Sequence, residues 1–126
     1  MASSGSGTMD ESEVMDLINK ASSGVLTLID GDKPYAVPLE HHFDGKNLHF
    51  SILPTEGRKV RCIRNNVNAC FVIYESRRDK PGMTTPCRSV ILEGEIIMSG
   101  ASLTLNVKEI GNWKCPPSRF ATCSVR

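Results

Sequence analysis

The chain has 126 residues, enough for one domain with a real core. With 40% hydrophobic and 23% charged residues it has the composition of an ordinary globular protein. A net charge of +1 gives no overall field for nucleic acid or an acidic membrane, so any anion site must be built locally. The longest apolar runs, "CFVIY" and "SVILEGEIIM", fall far short of the roughly 20 residues of a membrane span. No apolar core follows Met1, so no export signal is expected and the expected location is cytoplasmic.

The five cysteines are Cys62, Cys70, Cys87, Cys115 and Cys123, an odd number without a CxxC pair. Reduced thiols are therefore expected. Cys115 and Cys123, near the tail, are the two most open to oxidation. Residues 1–9, opening on "MASSGSGT", read as a flexible tail, native or introduced, and residues 10–126 as a single domain.

Residues 10–24 read as a helix. Asp10, Glu11 and Glu13 suit its positive end, Val14, Leu17 and Ile18 form a stripe, and Gly24 is placed to end it. "VLTLI" and "PYAVPLEHHF" flank the turn "DGDK" as a hairpin. Tyr35, Val37, Leu39, His41 and Phe43 share one face of the second run, and Ala36, Pro38, Glu40 and His42 the other. Pro38 cannot donate a ladder hydrogen bond, so it marks an edge or an opening. "FDGKN" is a further turn, and "LHFSIL" a third strand.

Residues 56–65 form a short helix with Thr55 as N-cap; Val60, Ile63 and Val67 make its stripe, and Arg58, Arg61 and Asn65 a polar face. "NACFVIYE" is a fourth strand and "SRRDKPGMTTP" a polar, mobile loop. "CRSVILEGEIIM" is a long fifth strand with a bulge or bend at Gly94. After "SGAS", "LTLNVKEI" is the sixth, and the tail beyond it has little pattern. About six antiparallel strands and two helices predict a mainly β fold, a closed or split barrel with helices at its ends.

Three groupings could carry chemistry, and a fourth kind, a protein nucleophile set, is sought as well. A helix that opens on Arg58 and Lys59, with the hydroxyls of Ser51 and Thr55 nearby, has the parts of a phosphate site without a Walker loop. The same residues also fit a plain solvated helix face. In "VPLEHH", the gap left by Pro38 frees backbone groups that a planar heterocycle could engage, although a simple edge strand has the same sequence. His41 and His42 are adjacent in a strand and point to opposite faces, so with His49 they complete no recognised metal spacing. No nucleophile elbow or Cys–His set is present. A phosphate site without a protein nucleophile points to a cofactor that carries the chemistry.

Three pieces, "PYAVPL", "GRK" with "RNN" behind it, and "RSVILEG", resemble the FMN-binding split-barrel proteins related to pyridoxamine 5′-phosphate oxidase. The branch containing the nitroimidazole-resistance reductases is the nearest in pattern, from about Leu17 to about Met98. The resemblance implies a homodimer with two FMN sites at the subunit interface and a small-molecule substrate. It implies that Arg58 and Lys59 grip the FMN phosphate, with Ser51 close by. Val37, Pro38, Leu39 and Glu40 would run along the isoalloxazine ring, and Arg88 and Ser89 would mark where a later strand approaches it. The implied activity is that of an oxidoreductase, with His41, His42 or a water as proton donor. A non-enzymatic dimer that stores or senses flavin or haem is the alternative. Ser51 stands where many nitroimidazole-reductase-like members have histidine, and only "SGAS" stands where members carry a helix before the final strand.

Overall fold

A computed structural model describes residues 9–52, 57–76 and 87–115, together with the backbone of residues 3–4. In chain order the elements are β1 (Ser3–Ser4), α1 (Glu11–Lys20), β2 (Ser23–Asp30), β3 (Lys33–Glu40), β4 (His42–Phe43), β5 (Leu48–Ser51), α2 (Arg58–Asn65), β6 (Asn68–Glu75), β7 (Arg88–Ser99) and β8 (Ser102–Lys114). Seven strands form one antiparallel sheet in the order β3-β2-β6-β7-β8-β5-β4, curled into a half-barrel that matches the expected split barrel. β1 adds to β8 in parallel, Ser3 opposite Ile110. Within the stretch read as a flexible tail, Met9 is buried, and its N–H donates to Asn112 Oδ1 at 3.0 Å.

Alternation along the strands turns Leu26, Leu28, Phe71, Val90, Leu92 and Leu105 inward, all fully buried. α1 adds Val14, Leu17 and Ile18 to this core, and α2 adds Cys62 and Ile63. Each such side chain removed from water stabilises the fold by about 1.5–3 kcal/mol.

α1 begins with a capping box. Glu13 N–H donates to Asp10 Oδ1 at 2.9 Å, and Asp10 N–H donates back to Glu13 Oε1 at 3.4 Å. The bond from the Glu13 N–H, with help from the Ser12 hydroxyl, holds the Asp10 carboxyl below its ordinary value. Gly24 does not end this helix. Ala21 does, in an extended conformation, and Gly24 lies inside β2 opposite Leu39. Its glycine serves close packing: a Cβ there would sit 2.5 Å from the Val72 carbonyl oxygen and 2.6 Å from the Phe71 ring.

The run "PYAVPLEHHF" is two strands rather than one, β3 and β4, at opposite edges of the sheet. α2 starts at Arg58 with Gly57 as N-cap; Thr55, read as the cap, and Glu56 lie outside the described residues. Val67 is not part of its buried stripe. Asn66 is extended and ends the helix, so Val67 falls beyond it and is exposed. Residues 77–86 of the predicted polar loop, and the tail from 116, also lie outside the described residues.

The predicted bulge is present. Glu93 faces Glu109 but Gly94 faces Val107, so Lys108 is the extra residue in β8. The last strand also runs further than expected, through Trp113 to Lys114. A Cβ on Gly94 would fall 1.8 Å from the Asn106 carbonyl oxygen. Gly94→Ala should therefore lower stability by about 1–3 kcal/mol, as overpacking does, read as a lower urea midpoint with an unchanged slope.

Candidate functional site

The start of α2 differs from the start of α1. Its first turn holds no acidic residue, and Gly57 offers no side-chain cap. It carries Arg58 and Lys59 instead, cations at the positive end of the helix dipole, where cations are unfavourable and an anion is stabilised. Arg58 is held in place. Its Nε donates to Asp30 Oδ2 at 2.7 Å, and its guanidinium lies 4.2 Å from the centre of the Tyr35 ring. Both side chains of the ion pair are nearly half exposed, so the pair contributes at most about 1 kcal/mol and leaves Arg58 accessible. Lys59 is half-buried and makes no ion pair among the described residues.

Tyr35 connects this helix start to β3, the edge strand. Tyr35, Val37 and Leu39 turn half-buried toward the core, whereas Pro38 and Glu40 are exposed on the outer face. Pairing with β2 continues unbroken through Pro34 and Pro38, as it can when each ring nitrogen faces the open edge. β5 comes against β3, and Ser51 ends β5 exposed, opposite Ser102. The structure thus joins Arg58 to the strand that carries Val37, Pro38, Leu39 and Glu40. Asp30 and Tyr35 complete the arrangement and were not singled out from sequence. The signal for Tyr35 was its place on the same face as Val37, and for Asp30 the turn that follows it.

Arg88 and Ser89 are not brought to this site within one chain. β2 and β6 lie between β7 and β3. Arg88 faces inward and is buried. Its Nε donates to Glu75 Oε1 at 2.9 Å, and its second guanidinium nitrogen to Asp16 Oδ2 at 3.3 Å. With Lys114 Nζ 3.0 Å from Glu13 Oε2, these bonds tie α1 to the sheet. Ser89 points to the outer face, between Tyr74 and Trp113. On that face Val25, Val72 and Ile91 form a cross-strand row, and Val25, Ile91 and Tyr74 are exposed.

The histidines diverge. His41 Nε2 donates to the Ile18 carbonyl at 2.9 Å, and its ring meets Phe71 edge-on at 5.1 Å. His49 Nε2 donates to Asp44 Oδ2 at 2.6 Å, and the His42 ring lies 6.3 Å from it. No group of three or more His, Cys, Asp or Glu side chains suited to a metal occurs among the described residues. A shallow groove of about 480 Å³ on the outer face includes Thr27, Pro34, Asn68, Cys70 and Glu93 in its lining. Burial pushes the Cys70 thiol above its ordinary pKa, which makes it a poor nucleophile.

The family model for pyridoxamine 5′-phosphate oxidase matches residues 10–98. The chain belongs to this family. Solved structures share its fold at low identity. An FAD-binding protein from Mesorhizobium loti superposes with a TM-score of 0.67 at 15% identity, covering 82% of this chain and 94% of that one. A protein provisionally assigned to 5-nitroimidazole antibiotic resistance in Bacteroides thetaiotaomicron gives 0.67 at 14%, covering 82% of each chain. An FAD and heme binding protein from Mycobacterium smegmatis gives 0.62 at 13%, covering 91% of this chain and 78% of that one. No curated protein matches the chain. No helix among the described residues is long and apolar enough to cross a membrane.

Two variants probe polar groups that hold the fold away from this site. Arg88→Ala removes the buried guanidinium that joins Glu75 to Asp16 and should cost about 3–5 kcal/mol in urea unfolding. Asp44 accepts from the N–H groups of Asn47 at 2.7 Å and Lys46 at 2.8 Å, and with His49 these bonds hold its carboxyl well below the usual range. A depressed carboxyl stabilises the fold above its unfolded value of about 3.9 and loses that contribution as pH falls toward the folded value. The stability gap between the wild type and Asp44→Asn should therefore be at full width above about pH 5 and close progressively below about pH 4.

Proposed function

We propose that the protein is an FMN-binding flavoprotein of the cytoplasm, an oxidoreductase acting on a small molecule as a homodimer. The observation that carries this reading is the start of α2, where two cations replace the acidic cap that α1 has. A helix so charged is at odds with its own dipole until an anion of phosphate type sits there. The residues present fit a flavin phosphate: Arg58 is fixed but accessible, Lys59 is beside it, and Ser51 ends the strand against β3.

The edge strand from Val37 to Glu40 would run along the flavin ring, with the Pro38 carbonyl and the Glu40 backbone groups facing the open edge and Val37 and Leu39 bonded inward to β2. The flavin would supply the transfer of hydride or electrons to the substrate. The chain's part is to anchor, to orient and to exclude water. A second copy over the outer face would cover Val25, Tyr74 and Ile91, and Ser89 lies on that face. Arg88 has a separate duty in holding α1. The Mesorhizobium and Mycobacterium proteins bind FAD, which supports a flavin ligand while leaving the nucleotide to experiment. Storage or sensing of flavin or haem without turnover is the alternative, and a haem absorption band in place of flavin bands would favour it.

Titration with FMN, FAD and riboflavin tests the anchor. Arg58→Ala and Lys59→Ala should each weaken FMN binding by about 1.5–3 kcal/mol, the size of a charge-assisted hydrogen bond. Riboflavin, which lacks the phosphate, should bind the wild type and both variants alike. Equal losses for both ligands, or no flavin binding by the wild type, would overturn the assignment.

A further inference from the structure

We infer that Cys87 and Cys115 form a reversible disulfide, a redox site independent of the flavin reading. Cys87 lies just before β7 and Cys115 just after β8, and the pairing of Arg88 with Lys114 carries on to them. Cys115 N–H donates to the Cys87 carbonyl at 2.8 Å, which makes them a directly opposed, hydrogen-bonded pair. Such a pair has a Cα separation of about 5.5 Å, inside the range that a disulfide bridges. Opposed residues point to the same face, and here both thiols are buried together in a small cluster with Trp113 packed against it. The Cys87 thiol donates to Ser76 Oγ at 3.9 Å. Opposed Cβ atoms in a hydrogen-bonded pair stand further apart than the roughly 3.8 Å a disulfide prefers, so the bond would be strained and easily reduced.

The oxidant is a small disulfide such as glutathione disulfide. One cysteine thiolate attacks it and releases one glutathione. The second thiolate attacks the mixed disulfide and releases the other. Two protein thiols are oxidised, one glutathione disulfide is reduced, and two protons leave with the thiols. At 3% and 2% exposure the thiols are shielded in the folded state, so the equilibrium is best reached by refolding.

The full chain, reduced and unfolded, is refolded in a glutathione redox buffer, alkylated and digested with trypsin. The expected product is peptide 79–88 linked to peptide 115–119, in a fraction that rises as the share of glutathione disulfide in the buffer is raised. Trp113 is the only tryptophan, so its fluorescence should fall on oxidation and recover with dithiothreitol. Cys87→Ser and Cys115→Ser should abolish both signals, and Cys70→Ser neither. The inference is overturned if native circular dichroism returns with both cysteines alkylated, or if either is found linked to Cys123 instead. Neither result bears on whether FMN binds.

Discussion

A single residue, His41, separates the strand at one edge of the sheet from the strand at the other. β3 ends at Glu40 and β4 begins at His42, yet five strands lie between them in the sheet. The sheet has to curl until its two edges meet at that corner. His41 fixes the corner: its backbone N–H donates to the Ser22 carbonyl at 3.3 Å, and its ring donates to Ile18. Away from the corner β3 stays an open edge, its prolines unable to donate to another strand. The cleft that gives the fold its split is therefore a consequence of chain connectivity.

That constraint also sets where the charge goes. α2 packs on β2 beside the open edge and buries Val60, Cys62 and Ile63. Its first turn must then begin near the end of the β2–β3 hairpin, where Asp30 and Tyr35 meet Arg58. The ion pair and the ring contact are each worth little as stability. Their effect is geometric, because they restrict a long side chain to one direction. α1 is held differently: the Arg88–Glu75 pair lies at low exposure, where loss of one partner is costly, and the same guanidinium reaches out to the half-exposed Asp16 on α1. The molecule thus uses strong pairs to fasten the barrel and weak, accessible ones at the mouth of the cleft.

Much of this was legible in the sequence. The period-two runs located most strands, Asp44-Gly45 located a hairpin, and Gly94 the bulge. The opening "GRK" located the cationic helix start. What the sequence hid was tertiary. Gly24 reads as a helix terminator because glycine is common there, but the requirement came from Phe71 and Val72, distant in sequence. "PYAVPLEHHF" keeps its alternation across a break, since inward-facing positions continue on both sides of His41. Val67 fits a helical stripe by spacing alone, and only the extended Asn66 removes it. Arg88 was marked only by the resemblance, as a place where a later strand approaches the flavin. Its partners turned out to be Asp16 and Glu75 from elsewhere in the same chain.

The outer edge of β8 is shared by two partners, β5 along Ser102–Leu105 and β1 at Ile110–Gly111. Between them lies a short stretch of strand backbone that neither partner covers. Asn47 fills part of it, its side-chain oxygen accepting from Val107 N–H at 3.0 Å. Lys108, displaced by the bulge, and Glu109 are exposed there. A foreign strand adding to this gap would have to break the Asn47 bond, follow a bulged backbone and accommodate two charges. The irregularity that interrupts the hairpin thus doubles as a guard against edge-to-edge aggregation, at the place where the sheet would otherwise be easiest to extend.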